Sequence, residues 1–268
     1  MLYLSELMSV FCDCHLHIYP RFDLVSSVSA IAELARTRVD AQYCFCLAET
    51  IECSFFESVR SGHIKLPGVE KVYCVEREAI ELDFGDRRGV FIFAGRQIVT
   101  REGLEFLVLC SEQTAPLEPT FEEIITFAKQ AGALLVLNWA PGKWWFRRGK
   151  IIGEMLESYT PENFFLGDTS LRPPLWSEPL LMKRAKQRGF ITLAGSDPLP
   201  RPGEEEVIAT YGVVLPDAQI DTTAPASSFK EICRGLTQSP KTFGKRSGNI
   251  KAACRVTTQI LAKRMGRV

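Results

Sequence analysis

Three histidines are all that 268 residues contain. That scarcity excludes a metal cluster built on many imidazoles and makes the position of each one informative. Net charge is lacking too. Lys plus Arg and Asp plus Glu stand at 32 each, so no global field draws the chain to nucleic acid or a membrane surface. No apolar run reaches the roughly 18 residues that span a bilayer. The opening "MLYLSELMSV" has no basic leader and carries Glu6. It makes a poor signal peptide, and a cytoplasmic location is expected. Nine cysteines are present without a C-x-x-C pair, which argues against a zinc ribbon. Cys12, Cys14, Cys44, Cys46, Cys74 and Cys110 lie in apolar runs and read as buried free thiols. No Pro- or Gly-rich linker divides the chain, so a single domain over 1–268 is expected.

What is there is an alternation of short apolar strands and amphipathic helices. "SVFCDCHLH" (9–17) reads as a strand, 24–38 as a helix, 41–49 as a strand and "SFFESVRSG" as a short helix. A β-rich segment over 71–112 follows, broken by the turn-like "GDRRG" and "TREG". Alternation resumes with a helix at 120–132, where Thr120 and Glu123 are spaced as a capping box. A strand at 133–140, helix "KIIGEMLESY", strand 163–170, helix 177–189, strand 190–197 and helix "GEEEVIATYG" complete it. Near-continuous apolar strands separated by helices predict an α/β fold with a parallel sheet covered on both faces. Closed as a barrel, such a sheet carries its function on the loops after the strands. Residues 228–268 read as a basic helical appendix, with ten Lys or Arg against one acid, Glu231.

Polar residues gather at the predicted strand ends. The first strand ends in Asp13, His15 and His17. Period-two alternation places these on one face and Cys12, Cys14 and Leu16 on the other. Two imidazoles aimed at one space are half of a metal site for Zn, Fe, Mn or Ni, or else a hydrogen-bonded core pair. Three further strands end in Glu49, Asp168 and Asp197. Buried acids are costly unless paired or bound to a cation, so these three are candidate ligands, or bases that position a water. Asp168 and Asp197 also stand where helix N-caps would.

"DCHLHIYP", "LAET", "GRQIVT…LEFL" and "GSDPLP" together resemble the PHP superfamily, the polymerase and histidinol phosphatase type of metal-dependent hydrolase related to the amidohydrolases. The resemblance covers roughly residues 9–215. It implies a distorted (β/α) barrel of PHP/TIM type and a divalent metal ion, Mn, Zn or Fe. His15 and His17 match the opening pair and Asp197 the late aspartate. Glu49 matches an acidic or histidine position loosely, and Glu105 lies near a bridging glutamate. The chain also departs from the pattern. "GSDPLP" lacks the late histidine, and Asn138 stands where such barrels often carry a metal-binding histidine. A trinuclear site is therefore excluded without substituted ligands; a mononuclear, a carboxylate-rich and a dead site stay open. His63, in "SGHIKLP", reads as a surface residue or a third ligand.

"NWAPGKWWFRRGK" (138–150) sets Lys143, Arg147, Arg148 and Lys150 among Trp139, Trp144, Trp145 and Phe146. Guanidinium groups bind phosphate bidentately, and "SLRPP" adds Arg172. Lys143, Arg147, Arg148 and Arg172 are thus candidates to hold a small anionic substrate such as a phosphate ester; the alternative is a packed capping loop. Basic and aromatic interleaving also suits single-stranded nucleic acid, which the acidic bulk of the chain disfavours. The expected function is divalent-metal-dependent hydrolysis. The rivals are a metal-free scaffold on the same fold and a nucleic-acid-binding protein.

Overall fold

The computed structural model describes residues 8–248, 254, 255 and 257. Its first half contains β1 (Ser9–Leu16), α1 (Leu24–Ala35), β2 (Ala41–Leu47), α2 (Phe55–Arg60), β3 (Lys71–Glu76), β4 (Ala79–Asp83), β5 (Val90–Phe93), β6 (Gly95–Val99) and β7 (Glu105–Leu109). Its second half contains α3 (Phe121–Gln130), β8 (Leu134–Asn138), α4 (Phe146–Ser158), β9 (Phe165–Thr169), α5 (Leu180–Gln187), β10 (Thr192–Gly195), β11 (Tyr211–Leu215), α6 (Pro225–Arg234) and β12 (Lys241–Gly244). The α/β expectation holds, and the predicted capping box is formed. Thr120 Oγ1 accepts from the Glu123 N–H at 3.2 Å, and the Glu123 carboxylate accepts from the Thr120 N–H at 2.8 Å.

The strands form two mixed sheets rather than one parallel sheet. One has the order β12-β11-β1-β2-β5-β4-β3, the other β10-β9-β8-β7-β6. Pairing is parallel for β1–β2–β5 and for β8–β9–β10, and antiparallel elsewhere. The ladders of the described strands close no barrel. The 71–112 segment is the crossover between the sheets: β3, β4 and β5 extend the first, and after Ala94 the chain enters the second as β6 and β7.

The sheets nonetheless approach each other along two seams, each marked by a glycine. At the first, the Glu49 N–H donates to Gly95 O at 3.0 Å and the Gln97 N–H to Glu49 O at 2.9 Å. A Cβ on Gly95 would lie 2.3 Å from Leu47 O. At the second, the Asp197 N–H donates to His15 O at 2.9 Å. There a Cβ on Gly195 would lie 2.2 Å from the His15 nitrogen. Any larger residue would push the sheets apart at these points.

One buried cluster draws on both sheets, with Cys12, Cys46, Phe91, Phe93, Leu109, Val136, Leu193 and Val213, and is capped by Phe229 of α6. Each fully buried phenylalanine there contributes about 1.5–3 kcal/mol. A second cluster packs α1 and α2 on the outer face of the first sheet. A third packs α3, α4 and α5 on the second sheet.

Two expectations are corrected. "GEEEVIATYG" is not an α-helix: Glu204–Val207 form a 3-10 turn, and Tyr211–Leu215 pair antiparallel with β1. The Glu run favours helix, but β-branched Val213 and Val214 suit the sheet. The basic segment is not wholly helical either, since β12 pairs with β11. Most of its last twenty residues lie outside the described ones.

Candidate metal centre

β1 brings His15 and His17 to a buried point at the second seam. Its pairing with β2 shifts register between Asp13 and Leu16. The shift breaks the expected alternation: Cys14 enters the cluster shared by both sheets, whereas Leu16 packs with α1 and α2. The two imidazoles converge, with Nε2 atoms 2.9 Å apart. Asp197 Oδ1 lies 3.6 Å from His15 Nε2 and 3.8 Å from His17 Nε2. Asp197 takes a left-handed φ of 51°, which aspartate tolerates better than most residues. Gln97 Oε1 is 3.2 Å from His15 Nε2, and Tyr19 stacks on His17 with ring centroids 5.1 Å apart.

Burial sets the charge states. Desolvation, reinforced by the field of His15, holds the His17 imidazole well below its ordinary pKa and so neutral, the form that ligates metal. Desolvation also raises the Asp197 carboxyl, opposed by the nearby His15 and Arg255. Asp13 is a latch rather than part of this group. It accepts from the Ser196 N–H at 2.8 Å, the Ser196 hydroxyl, the His15 N–H at 3.2 Å and the Ala209 N–H at 3.3 Å. Burial nevertheless pushes its pKa up to about 7.

The other two strand-end acids are not brought to the histidines. Glu49 turns to α2, where its carboxylate accepts from the Phe56 N–H at 3.0 Å. Asp168 is clasped by Arg172, with Nε at 2.9 Å and Nη2 at 2.6 Å, and by Arg246 Nη2 at 2.6 Å. Among the described residues the histidine-containing group whose ligand atoms lie within 4.8 Å of one another is His15, His17 and Asp197. Cys12, Cys14 and Cys46 also cluster within that distance, in the apolar core, where burial raises the Cys12 and Cys46 thiols. All nine cysteines are free, and Cys12, Cys14, Cys44, Cys46 and Cys110 are buried as expected; Cys74 is not, because β3 is an edge strand whose Cys74 position is exposed.

A cavity of about 970 Å³ opens beside the pair, with His17, Gln97, Glu105, Asn138 and Asp197 in its wall. Of the four candidate anion binders, Lys143 and Arg148 line it. Lys143 Nζ is 2.6 Å from Glu105 Oε1. Arg148 donates to Gly142 O at 2.9 Å. Arg147 is exposed and does not line the cavity, and Arg172 is committed to Asp168. Half of the 138–150 loop is a packed cap: Trp139 and Trp144 are buried, and Trp144 Nε1 donates to Asn138 O at 2.9 Å. Trp145 and Phe146 remain exposed. His63 is a surface residue facing Ser61 Oγ at 2.6 Å.

Sequence reasoning missed Tyr19, Gln97 and Arg21. Tyr19 and Gln97 sit inside quoted motifs, so proximity to them was a usable signal. Arg21 lines the cavity and donates to Pro200 O at 3.1 Å; nothing local distinguishes it. Among the described residues no helix is long and apolar enough to cross a membrane.

No protein-family model matches the sequence, and no curated protein matches it. Solved structures do match. The crystal structure of PsfC from Pseudomonas syringae aligns with a TM-score of 0.53 at 15% identity, over 96% of this chain and 98% of its own. The lesion-specific endonuclease PfuEndoQ from Pyrococcus furiosus aligns at 0.50 and 12% identity, over 85% of this chain and 56% of its own. A two-domain protein from Bacteroides vulgatus, containing a predicted PHP-like metal-dependent phosphoesterase, aligns at 0.39 and 15% identity, over 70% of this chain and 52% of its own. At such identities the likeness is one of fold: the chain shares its fold with PsfC and PfuEndoQ.

Proposed function

We propose that the protein is a divalent-metal-dependent hydrolase of PHP type, acting on a phosphate ester or another small anionic substrate. The observation that carries this reading is the convergence of His15, His17 and Asp197 beside a cavity that His17 and Asp197 line together with two arginines. The donor set fits a divalent ion. Ligand atoms about 2.1 Å from one ion lie roughly 3.0–3.4 Å apart, close to the 2.9 Å between the imidazoles and somewhat inside the 3.6–3.8 Å to Asp197. His15, His17 and Asp197 would hold the ion, which when bound lowers the pKa of water towards neutrality and makes it a nucleophile.

The chain's own groups have separable roles. Tyr19 and Gln97 fix the two rings. Among the described residues Arg21 and Arg148 bond carbonyl oxygens, at Pro200 and Gly142, and pair with no carboxylate, so their charge is left to grip an anionic group. Glu49 and Asp168 are proposed as structural acids. For the fold, the two sheets read as one interrupted barrel. β1, β2, β6, β8, β9 and β10 run parallel, β7 runs against them, and the seams at Gly95 and Gly195 supply the closure. The cavity is its mouth.

A second reading draws on the exposed Trp145, whose ring lies 6.2 Å from that of Trp176. Such a platform suits a base-bearing substrate, and PfuEndoQ, which shares the fold, is an endonuclease. Purified protein assayed with Mn²⁺ against a phosphomonoester, a phosphodiester and a single-stranded oligonucleotide tests both readings. Turnover abolished by His15→Ala, His17→Ala is expected. Metal binding no tighter than that of the double variant would sink the metal reading, and bound metal without any turnover would favour a scaffold.

A further inference from the structure

Glu105 opens β7 as a buried carboxylate in the cavity wall, and its partner is the ammonium of Lys143, 2.6 Å away. The loop holds that lysine in place. The Lys143 N–H donates to Ala140 O at 3.0 Å, and the Trp144 indole anchors the next residue to Asn138 O. Asn138 lines the same wall, and its buried Oδ1 has no hydrogen-bond partner among the described residues. A carboxylate and an amide oxygen in one wall are the donors that hard divalent cations take. Here a side-chain cation already sits on the carboxylate.

The charge inventory of the cavity sets Lys143 apart from the arginines. Arg21 and Arg148 bond carbonyl oxygens, whereas Lys143 is neutralised by Glu105. A carboxylate taken out of water demands compensation. An ammonium supplies one unit as a compact point charge, where a second divalent ion would supply two.

We propose that Lys143 is a built-in cation that occupies Glu105 and limits the centre to a single divalent ion. Removing its charge frees Glu105, with Asn138, to take a second ion. The proposal rests on the metal reading above. It makes Lys143 a positioning residue and leaves the substrate anion to Arg21 and Arg148.

The test is metal stoichiometry, read by elemental analysis and by calorimetric titration with Mn²⁺ alone. The wild type is expected to bind one ion and Lys143→Met two. Glu105→Gln and the Lys143→Met, Glu105→Gln double variant should each bind one. Mn²⁺ should also raise the melting temperature of Lys143→Met more than that of the wild type, because the freed carboxylate gains its counter-ion only on binding. If Lys143→Met does not fold, Lys143→Gln keeps a donor to Glu105 and should bind the second ion as well. Two ions in the wild type, or one in both Lys143 variants, would overturn the proposal while leaving the histidine site intact. A wild-type ion that survives His15→Ala, His17→Ala would instead overturn the metal reading itself.

Discussion

Asp168 and Asp197 end neighbouring parallel strands, β9 and β10, and both stand in short "G-x-D" or "G-D" contexts before a loop. Their carboxylates meet opposite surroundings. Asp168 receives Arg172 from four residues on and Arg246 from the C-terminal segment, so its charge and lone pairs are consumed inside the protein. Asp197 faces two imidazoles beside a cavity. An arginine does arrive from the C-terminal segment, but Arg255 donates to the backbone oxygen of Asp197 and pairs its charge with Glu204. The same strand-end signal thus serves as an internal ion pair in one strand and faces a histidine pair in the next.

The sharpest way to break this comparison is to neutralise each acid in turn. Asp197→Asn is expected to weaken Mn²⁺ binding by about 100-fold, at the upper end of effects seen even for groups behind the ligands. Asp168→Asn should leave metal affinity unchanged and cost about 3–5 kcal/mol of stability, because buried guanidinium charge is left uncompensated. Metal titration and urea unfolding on both variants decide it, and equal metal loss in the two would erase the distinction.

Arg255 tests the backbone half of the contrast. Burial would raise the Glu204 carboxyl, but the hydrogen bonds and charge of Arg255, with Arg201, bring it below its ordinary 4.5. A carboxyl with a lowered folded-state pKa stabilises the fold above the unfolded-state value, and that stability is lost as pH falls through the folded-state one. Wild-type unfolding free energy should therefore drop below about pH 4.5, and Arg255→Ala should remove that part of the drop while costing about 3 kcal/mol at neutral pH. Denaturant unfolding at a series of pH values measures both.

The smallest effect lies in the loop after β8. Arg148 lines the cavity and Arg147 does not. Arg148→Ala is expected to raise KM for a phosphate ester about tenfold, the loss of one charge-assisted hydrogen bond. Arg147→Ala should leave it within twofold, and steady-state kinetics on the pair would expose any reversal.

Much of the frame was legible in the sequence. The strand carrying His15 and His17, the capping box at Thr120 and five of the six thiols expected to be buried follow from local pattern; Cys74 is exposed. Other features depend on partners that pattern does not name. Apolar runs do not encode strand direction, so the antiparallel pairing of β7 with β8 was not foreseen, and β11 was not foreseen as a strand at all. The register shift at Asp13–Leu16 arises where Asp13 ties β1 to Ser196, 183 residues later. The helix expected at "GEEEVIATYG" gave way because Gly212 lets β11 approach β1: a Cβ there would lie 2.2 Å from Cys12 O.

By itself the sequence determined that two imidazoles share a strand end and that few others exist to join them. This limits the imidazoles available to any metal site there to two or three. Only the tertiary structure decided which carboxylate lies beside them. Glu49, Asp168 and Asp197 look alike locally, and their fates turn on compensating groups that arrive from elsewhere in the chain: the N-terminus of α2, Arg172 and Arg246, or two imidazoles with Arg255 acting through space. Charge compensation acts through space, and only folding brings those partners into range.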